Sequence, residues 1–421
     1  MDFRPSPAVE SLKERIEAFM AEHVYPAELE VARALDEEVG PGVPYPQILV
    51  EIRSMAREQG LWNLFLADDE VGAGLTNWEY GMLCEQMGRS PIAAPMAFNC
   101  SAPDTGNAEI LVDHGTDDQR RQFLEPLLEG TARSCFSMTE PEVSGSDPTT
   151  LQARAELDGD EWVINGHKWF TSGANGAAFA IAMVVTDPDA APYTRASMII
   201  VPTDNPGFNL IRNVSVMGHD GGPGHCEVRY EDCRVPASNL LGERGAGFVI
   251  AQDRLGPGRI HHCMRAIGTA ERAIEMMCDR ANTREAFGGP LADKQFVQDF
   301  IARSRMEVDQ ARLLTLYAAW QMDTEGKRRA RQAISQIKVV AANVVMDVLD
   351  RAIQVHGSLG MSDDTPLAGM WRFSRMLRVA DGPDEVHKMV IARRELNRAA
   401  RRAEERAKGQ GDRPAGAPVA S

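Results

Sequence analysis

Apolar residues recur at every third or fourth position through "SPAVESLKERIEAFMAEHV", "PQILVEIRSMAREQG", "NWEYGMLCEQMG" and "DDQRRQFLEPLLEG". That spacing lays one apolar stripe along a helix, so residues 1–134 read as a helical domain. The pattern then shortens. "EWVINGHKWFT", "FAIAMVVT", "SMIIVPT" and "CEVRYEDCRVP" are strand-length runs bounded by Gly, Pro, Asp and Asn, and they place a β-domain at 135–243. Within it, "VINGHKWF" predicts a hairpin turning at Asn165-Gly166. Helical spacing returns in "AIGTAERAIEMMCDRA", "KQFVQDFIARSRMEVDQARLLTLYAAWQM" and "RRARQAISQIKVVAANVVMDVLDRAIQVHG", giving a C-terminal helical domain over 244–407. The small, polar, Pro/Gly-rich residues 408–421 predict a disordered tail. The fold class is therefore mainly α with a central β-domain. Strand–helix alternation is missing and no GxGxxG opens a helix, which disfavours a Rossmann-type nicotinamide enzyme.

Composition narrows the function classes. A chain of 421 residues with a formal net charge of −16 has no basic surface for nucleic acid or a polybasic membrane contact. Its N-terminus has no apolar core, so no signal peptide is expected, and no run approaches the roughly 20 apolar residues of a membrane span. The seven Cys include no CxxC pair and the nine His form no HExxH, so neither a disulfide framework nor a metal site is expected, and a reducing cytoplasm fits. His261 and His262 are adjacent, which on a helix turns them to different faces.

Five stretches could carry chemistry. In "RVADGPDEVHK" (378–388), Gly382 and Pro383 end one helix and begin another, with Pro383 suited to its first position. Asp384 and Glu385 then fall in the first turn, where carboxylates suit the free N–H groups. Asp381 has no such helical duty. "CFSMTEPEVSGSDP" (135–148) is either a Gly-rich cradle for polar ligand edges or an ordinary capped turn. In "GHKWFTSGAN" (166–175), strand alternation would turn Trp169 and Thr171 to one face, an indole wall plus a hydroxyl for a flat ring, or a packed core Trp. "GPGRIHHCMRAIGTAERA" and "TREAFGGPLADKQ" offer Arg259, Arg284 and Gln295 for anionic or polar groups. "IQVHGSLGMSD" (353–363) ends a helix at Gly357 or Gly360.

In this order, "MTEP…GSD", "KWFTSG", "RVP…NLLGERGAGF", "TREAFG…Q" and "QVHGSLG" resemble the acyl-CoA dehydrogenase family of flavoproteins over about residues 8–405. "GPGRIHHCMR" and "DGPDEVH" are similar to a narrower branch, some of whose members fuse this unit to a kinase-like domain; 421 residues leave no room for one. The resemblance implies an N-terminal helical domain, a β-sandwich or barrel domain and a C-terminal four-helix bundle, with FAD between the last two. It implies that Phe136, Ser137, Met138, Thr139 and Ser146 contact the flavin side and the CoA part of the substrate. Trp169, Phe170 and Thr171 would flank the isoalloxazine, with Thr171 near N5. Arg284, Gln295, Gln354, Gly357 and Ser358 would hold the ADP half of FAD in a neighbouring subunit of a homodimer or homotetramer. Pro383, Asp384 and Glu385 would lie along the flavin, and Arg259 and Gly382 beside the substrate. Asp381 matches the catalytic base, taking the α-proton of an acyl-CoA while hydride leaves the β-carbon, as in fatty-acid β-oxidation. The Asp381 N–H would help polarise the thioester carbonyl, and a dry site would raise the carboxylate's pKa. An electron-transfer flavoprotein is the implied electron acceptor. Other readings are an oxygen-using relative, either an oxidase or a monooxygenase, and a non-catalytic flavin- or CoA-binding subunit. Two departures stand out: Asp381 occupies a position where most relatives carry Glu, and "TEPEVSGSD" holds one extra residue before Gly-Ser-Asp.

Overall fold

The computed structural model describes residues 4–68 and 71–411, with the side chains of 407–411 excepted. Helices occupy the chain as far as Glu129, strands follow from Ser134 to Leu241, and helices resume at Gly247. Five longer helices frame the first part: α1 (Pro7–Phe19), α2 (Tyr25–Glu38), α3 (Gln47–Glu58), α4 (Asn77–Gly88) and α5 (Asp104–His114). Their starts follow local chemistry. Ser6 caps α1 by accepting from the Val9 N–H, with Pro7 at the first helical position. Thr76 and Glu79 form a reciprocal capping box on α4.

Eight strands make one sheet: β1 (Ser134–Ser137), β2 (Arg154–Asp158), β3 (Glu161–Ser172), β4 (Phe179–Val185), β5 (Ala196–Pro202), β6 (Phe208–Asn213), β7 (His225–Pro236) and β8 (Leu240–Leu241). The order is β6-β7-β3-β2-β4-β5-β8, with β1 parallel to β4. All seven residues of β4 are buried, and alternation explains how. Ala180, Ala182 and Val184 join the β-domain's own core with Trp162, Ile164, Val228 and Tyr230. Phe179, Ile181, Met183 and Val185 join the core shared with the helices. A strand covered on both faces needs the continuous apolar run that "FAIAMVV" supplies.

The turn expected at Asn165-Gly166 lies elsewhere. β3 continues through it, with a register shift against β7 between Ile164 and Gly166, and the β2–β3 hairpin closes between Asp158 and Glu161, with Gly159 at φ +66°. Gly166 serves instead as a close approach, since a Cβ there would meet Ala153 Cβ at 2.3 Å. A bulge between Lys168 and Thr171 also overturns the expected alternation. It puts Thr171 on the buried face with Lys168, leaves Trp169 half-buried, and exposes Phe170 at φ +47°.

The C-terminal part packs α6 (Gly247–Thr283), α7 (Gln295–Glu325), α8 (Lys327–His356), α9 (Leu367–Arg375) and α10 (Asp384–Gly411). By length and composition α8 could cross a membrane, contrary to the expectation of no such stretch, yet most of its apolar window is buried within the protein. α10 already includes positions 408–411 of the expected tail; residues 412–421 lie outside the described residues. α6 continues through Gly256-Pro257-Gly258, a run that local rules would use to end a helix.

Two glycines of α6 separate packing from propensity. A Cβ on Gly268 would lie 1.8 Å from the Glu85 carbonyl oxygen of α4, whereas one on Gly258 meets nothing within 4 Å. Gly268→Ala should therefore destabilise by about 1–3 kcal/mol or more through overpacking. Gly258→Ala should stabilise by about 0.5–1 kcal/mol by removing backbone freedom from the unfolded chain. Thermal-shift midpoints that move the same way in both variants would contradict this packing.

Candidate active site

The turn between α9 and α10 carries Asp381 at φ +54°, a left-handed conformation that Asp tolerates better than most residues. Gly382 follows at φ +98°, and a Cβ there would strike His387 Nε2 at 2.9 Å, so only glycine fits. Pro383 caps α10 rather than opening it: the helix begins at Asp384, and the Pro383 carbonyl accepts from the Val386 and His387 N–H groups. Two side chains from different helices hold the turn by one atom. Arg259 Nε of α6 donates to the Asp381 carbonyl at 3.0 Å, and His387 Nε2 of α10 donates to it at 3.3 Å. Burial pushes His387 down to about 4, so it is neutral at pH 7 and carries its proton toward that carbonyl. The Asp381 N–H has no protein acceptor among the described residues.

The Asp381 carboxylate lies in a cationic setting. His262 Nε2 is 3.5 Å from Oδ2. Burial pulls the carboxyl's pKa up, but His262 in its protonated form, with Arg254, Arg259 and Lys338, holds it below the ordinary aspartate range. The upward shift expected from desolvation alone is thus outweighed. None of the three cationic side chains spends its hydrogen bonds on the carboxylate. Lys338 of α8 donates to the Leu377 carbonyl. Arg254 donates to Asn107 Oδ1 at 3.0 Å and the Pro103 carbonyl at 3.4 Å, and lies 4.2 Å over the Phe136 ring. Near Arg254, burial pushes the Glu109 carboxyl up to about 8, and its Oε2 is buried without a partner.

The Arg254–Phe136 contact joins this corner to the end of β1. There the fully buried Lys168 Nζ donates to the Met138 carbonyl (2.8 Å), the Met183 carbonyl (2.7 Å) and Glu140 Oε1 (2.8 Å). Glu140 in turn accepts from the Gln152 and Ala153 N–H groups, so the buried pair is satisfied on both sides. The Thr139 carbonyl accepts from the Trp169 N–H at 3.0 Å. The Ser137 and Thr171 hydroxyls lie 3.4 Å apart and buried. Ser146 is exposed on the following loop, where Gly145 backs onto Thr139 and His167 bridges Glu142 to Glu227.

The remaining candidates fall into two groups. Asp384 is buried, with Oδ2 taken by Arg378 Nε and Asn343 Nδ2, both at 3.0 Å, and Oδ1 buried without a partner; Glu385 is exposed. Arg284, Gln295, Gln354, Gly357 and Ser358 are exposed where α6 gives way to α7 and where α8 ends at Gly357, φ +67°. Arg351 of α8 bonds Ser304 and Glu307 of α7, which ties the last turns of α8 to the first half of α7. Along α6, the 25 residues from Arg259 to Arg284 rise about 37 Å, so one chain holds this group far from Asp381. Reading the sequence alone missed Arg254, His262, Arg265, Lys338, Lys168 and Glu109. The available signal was helical spacing, because Arg254, His262 and Arg265 share α6 with Arg259.

Comparison with known proteins agrees with this architecture. Residues 6–131, 135–233 and 245–396 match the N-terminal, middle and C-terminal domains of acyl-CoA dehydrogenase, respectively. The chain is 51% identical over 401 residues to "Probable acyl-CoA dehydrogenase FadE2" of Mycobacterium tuberculosis, covering 94% of this chain and 98% of that protein. It is 48% identical to "Acyl-CoA dehydrogenase family member 11" of Gallus gallus over 91% of this chain, and spans only 50% of that longer protein. Among solved structures, the butyryl-CoA dehydrogenase of Megasphaera elsdenii superposes with a TM-score of 0.80 at 28% identity, covering 94% of this chain and all 100% of its own. The chain belongs to the acyl-CoA dehydrogenase family and is an enzyme of acyl-CoA dehydrogenation.

Proposed function

We propose that this enzyme converts an acyl-CoA thioester to its trans-2-enoyl-CoA with Asp381 as the base that takes the α-proton. The observation that carries the reading is the turn itself. Its carbonyl is held from two helices, and among the described residues its N–H has no protein acceptor and its carboxylate, held in the ionised form by the charges around it, has no direct Arg or Lys ion pair. An N–H free to bond the thioester oxygen stabilises the enolate-like charge that develops as the α-proton leaves. The same residue then supplies both the polarising donor and the base, separated by one Cα.

The residues present fit FAD. A half-buried indole, an exposed phenyl ring beside it and a buried hydroxyl pair suit a flat heterocycle, and the orphaned Asp384 Oδ1 is an acceptor available to a ligand donor. Trp169, Phe170, Thr171, Ser137 and Met138 would hold the ring system. Bound FAD supplies the acceptor for the hydride that leaves the β-carbon. The buried Lys168–Glu140 pair fixes the Met138–Glu140 turn against β4, so those contacts are set before any ligand arrives.

The exposed cluster at Arg284, Gln295, Gln354, Gly357 and Ser358 serves the ADP half of a cofactor whose ring sits in another copy of the chain, which makes the enzyme a homo-oligomer. The helical distance between Arg284 and the Asp381 corner supports this division. An electron-transfer flavoprotein then reoxidises the enzyme.

The decisive experiment is anaerobic. The FAD-loaded enzyme is mixed with acyl-CoAs differing in length, branching and oxygenation. Loss of the flavin band with some thioesters is expected, with slow recovery in air; no loss with any acyl-CoA would overturn the reading, and rapid recovery would favour an oxidase. In a second experiment, Arg284→Glu is expected to fold as wild type by circular dichroism but to lose FAD on gel filtration. Full FAD retention would remove Arg284 from the cofactor site.

A further inference from the structure

His262 and Arg265 are a turn apart on α6 and act on each other. Arg265 Nη2 donates to His262 Nδ1 at 3.0 Å. A guanidinium has no acceptor, so Nδ1 must be the bare nitrogen and the ring proton must sit on Nε2. Nε2 is the atom 3.5 Å from Asp381 Oδ2. Arg265 itself is buried, forms no ion pair among the described residues, and gives its other nitrogen to the Cys100 carbonyl at 3.4 Å. It also lies beside Glu109 and the buried Cys84. The neighbouring His261 faces elsewhere, buried edge-on against Tyr80 with ring centroids 4.7 Å apart.

We propose that His262, its tautomer fixed by Arg265, is the positioning residue for the base: its Nε2–H holds Asp381 Oδ2 and leaves Oδ1 to take the α-proton. The inference rests on Asp381 being that base. The separation is slightly longer than a hydrogen bond, as contacts at catalytic groups often are before the substrate binds. The side chain is short and has two oxygens, so without an anchor either could turn toward a neighbouring cation. A direct Arg or Lys pair would anchor it too, but would stabilise the carboxylate and weaken it as a base. A neutral N–H donor orients the group at lower cost to basicity. Burial, with Arg265 next to it, pushes His262 down to about 3, consistent with a neutral donor at working pH.

The groups facing this pair are Arg254, Arg259, Cys263 and Arg265 of α6, Lys338 of α8, and His387 of α10. The base works only when ionised, so activity falls as pH drops through the Asp381 pKa. Arg254, Arg259 and Lys338 stay charged, so in the wild type that acid limb of kcat/KM is expected below the ordinary aspartate range. Removing a donor to the ionised form raises the pKa and moves the limb to higher pH.

The test is anaerobic stopped-flow reduction by the best acyl-CoA, with FAD content checked in each variant. His262→Leu is expected to slow the limiting rate by about 10- to 100-fold, the range for losing a hydrogen bond to a charged group. Acyl-CoA affinity should stay within about twofold and the acid limb should move up. His262→Gln, whose amide can place a donor near the Nε2 position, should recover most of the rate. A His262→Leu rate and pH profile like the wild type would overturn the inference, as would a Gln variant no better than Leu. Asp381→Asn distinguishes the two levels. If it abolishes reduction while His262→Leu has no effect, only the positioning role fails. If it reduces at the wild-type rate, the base assignment fails and the inference with it.

Discussion

The carbonyl oxygen of Asp381 is the atom on which the site is built. A left-handed backbone at a non-glycine residue costs about 1–3 kcal/mol. A hydrogen bond from a charged donor returns about 1.5–3 kcal/mol. The Arg259 bond alone is therefore of the size needed to hold the turn, and His387 adds a second donor from another helix. These donors reside on α6 and α10, so the turn acquires its shape only when the bundle packs. With the carbonyl occupied, the N–H and the carboxylate are what the residue can offer a substrate.

The same logic extends outward to the sheet. α6 approaches α4 closely enough that Gly268 cannot carry a side chain, and this sets the helix that presents Arg254, Arg259, His262 and Arg265. Arg254 lies over Phe136 at the end of β1, next to the turn that Lys168 and Glu140 pin. Buried charge is expensive, and burial pushes Lys168 down to about 8. Its three acceptors offset that cost and hold the Met138 carbonyl and the Glu140 carboxylate in place against β4.

Much of this was legible in the sequence, for identifiable reasons. The change from helical to strand spacing and back follows burial, and the doubly covered β4 shows as an unbroken apolar run. Asp381 was left over once Pro383, Asp384 and Glu385 were assigned to starting a helix, and it was the resemblance to the acyl-CoA dehydrogenase family that singled it out as the base. The failures are equally local. "NG" promised a turn, but the sheet needed a glycine there for Ala153 to approach. Trp169 and Thr171 look like alternating neighbours, but a bulge intervenes that no local residue announces. "GPG" resembles a helix end, yet α6 continues because tertiary packing outweighs propensity. His262 lies 119 positions before Asp381 in the chain, and only the fold brings them to 3.5 Å.

The central claim is that Asp381 removes the α-proton, and this step can be isolated from hydride transfer. A 3-thia-acyl-CoA carries sulfur in place of the β-carbon and so has no β-hydrogen to give. Its α-deuterated form, incubated with the FAD-loaded enzyme in water, reports proton abstraction alone through the loss of deuterium followed by mass spectrometry. Wild-type enzyme should exchange the label, and Asp381→Asn should slow exchange by about 10²- to 10⁴-fold, the contribution of a positioned general base. Equal exchange by the two proteins, with FAD bound in both, would contradict the account.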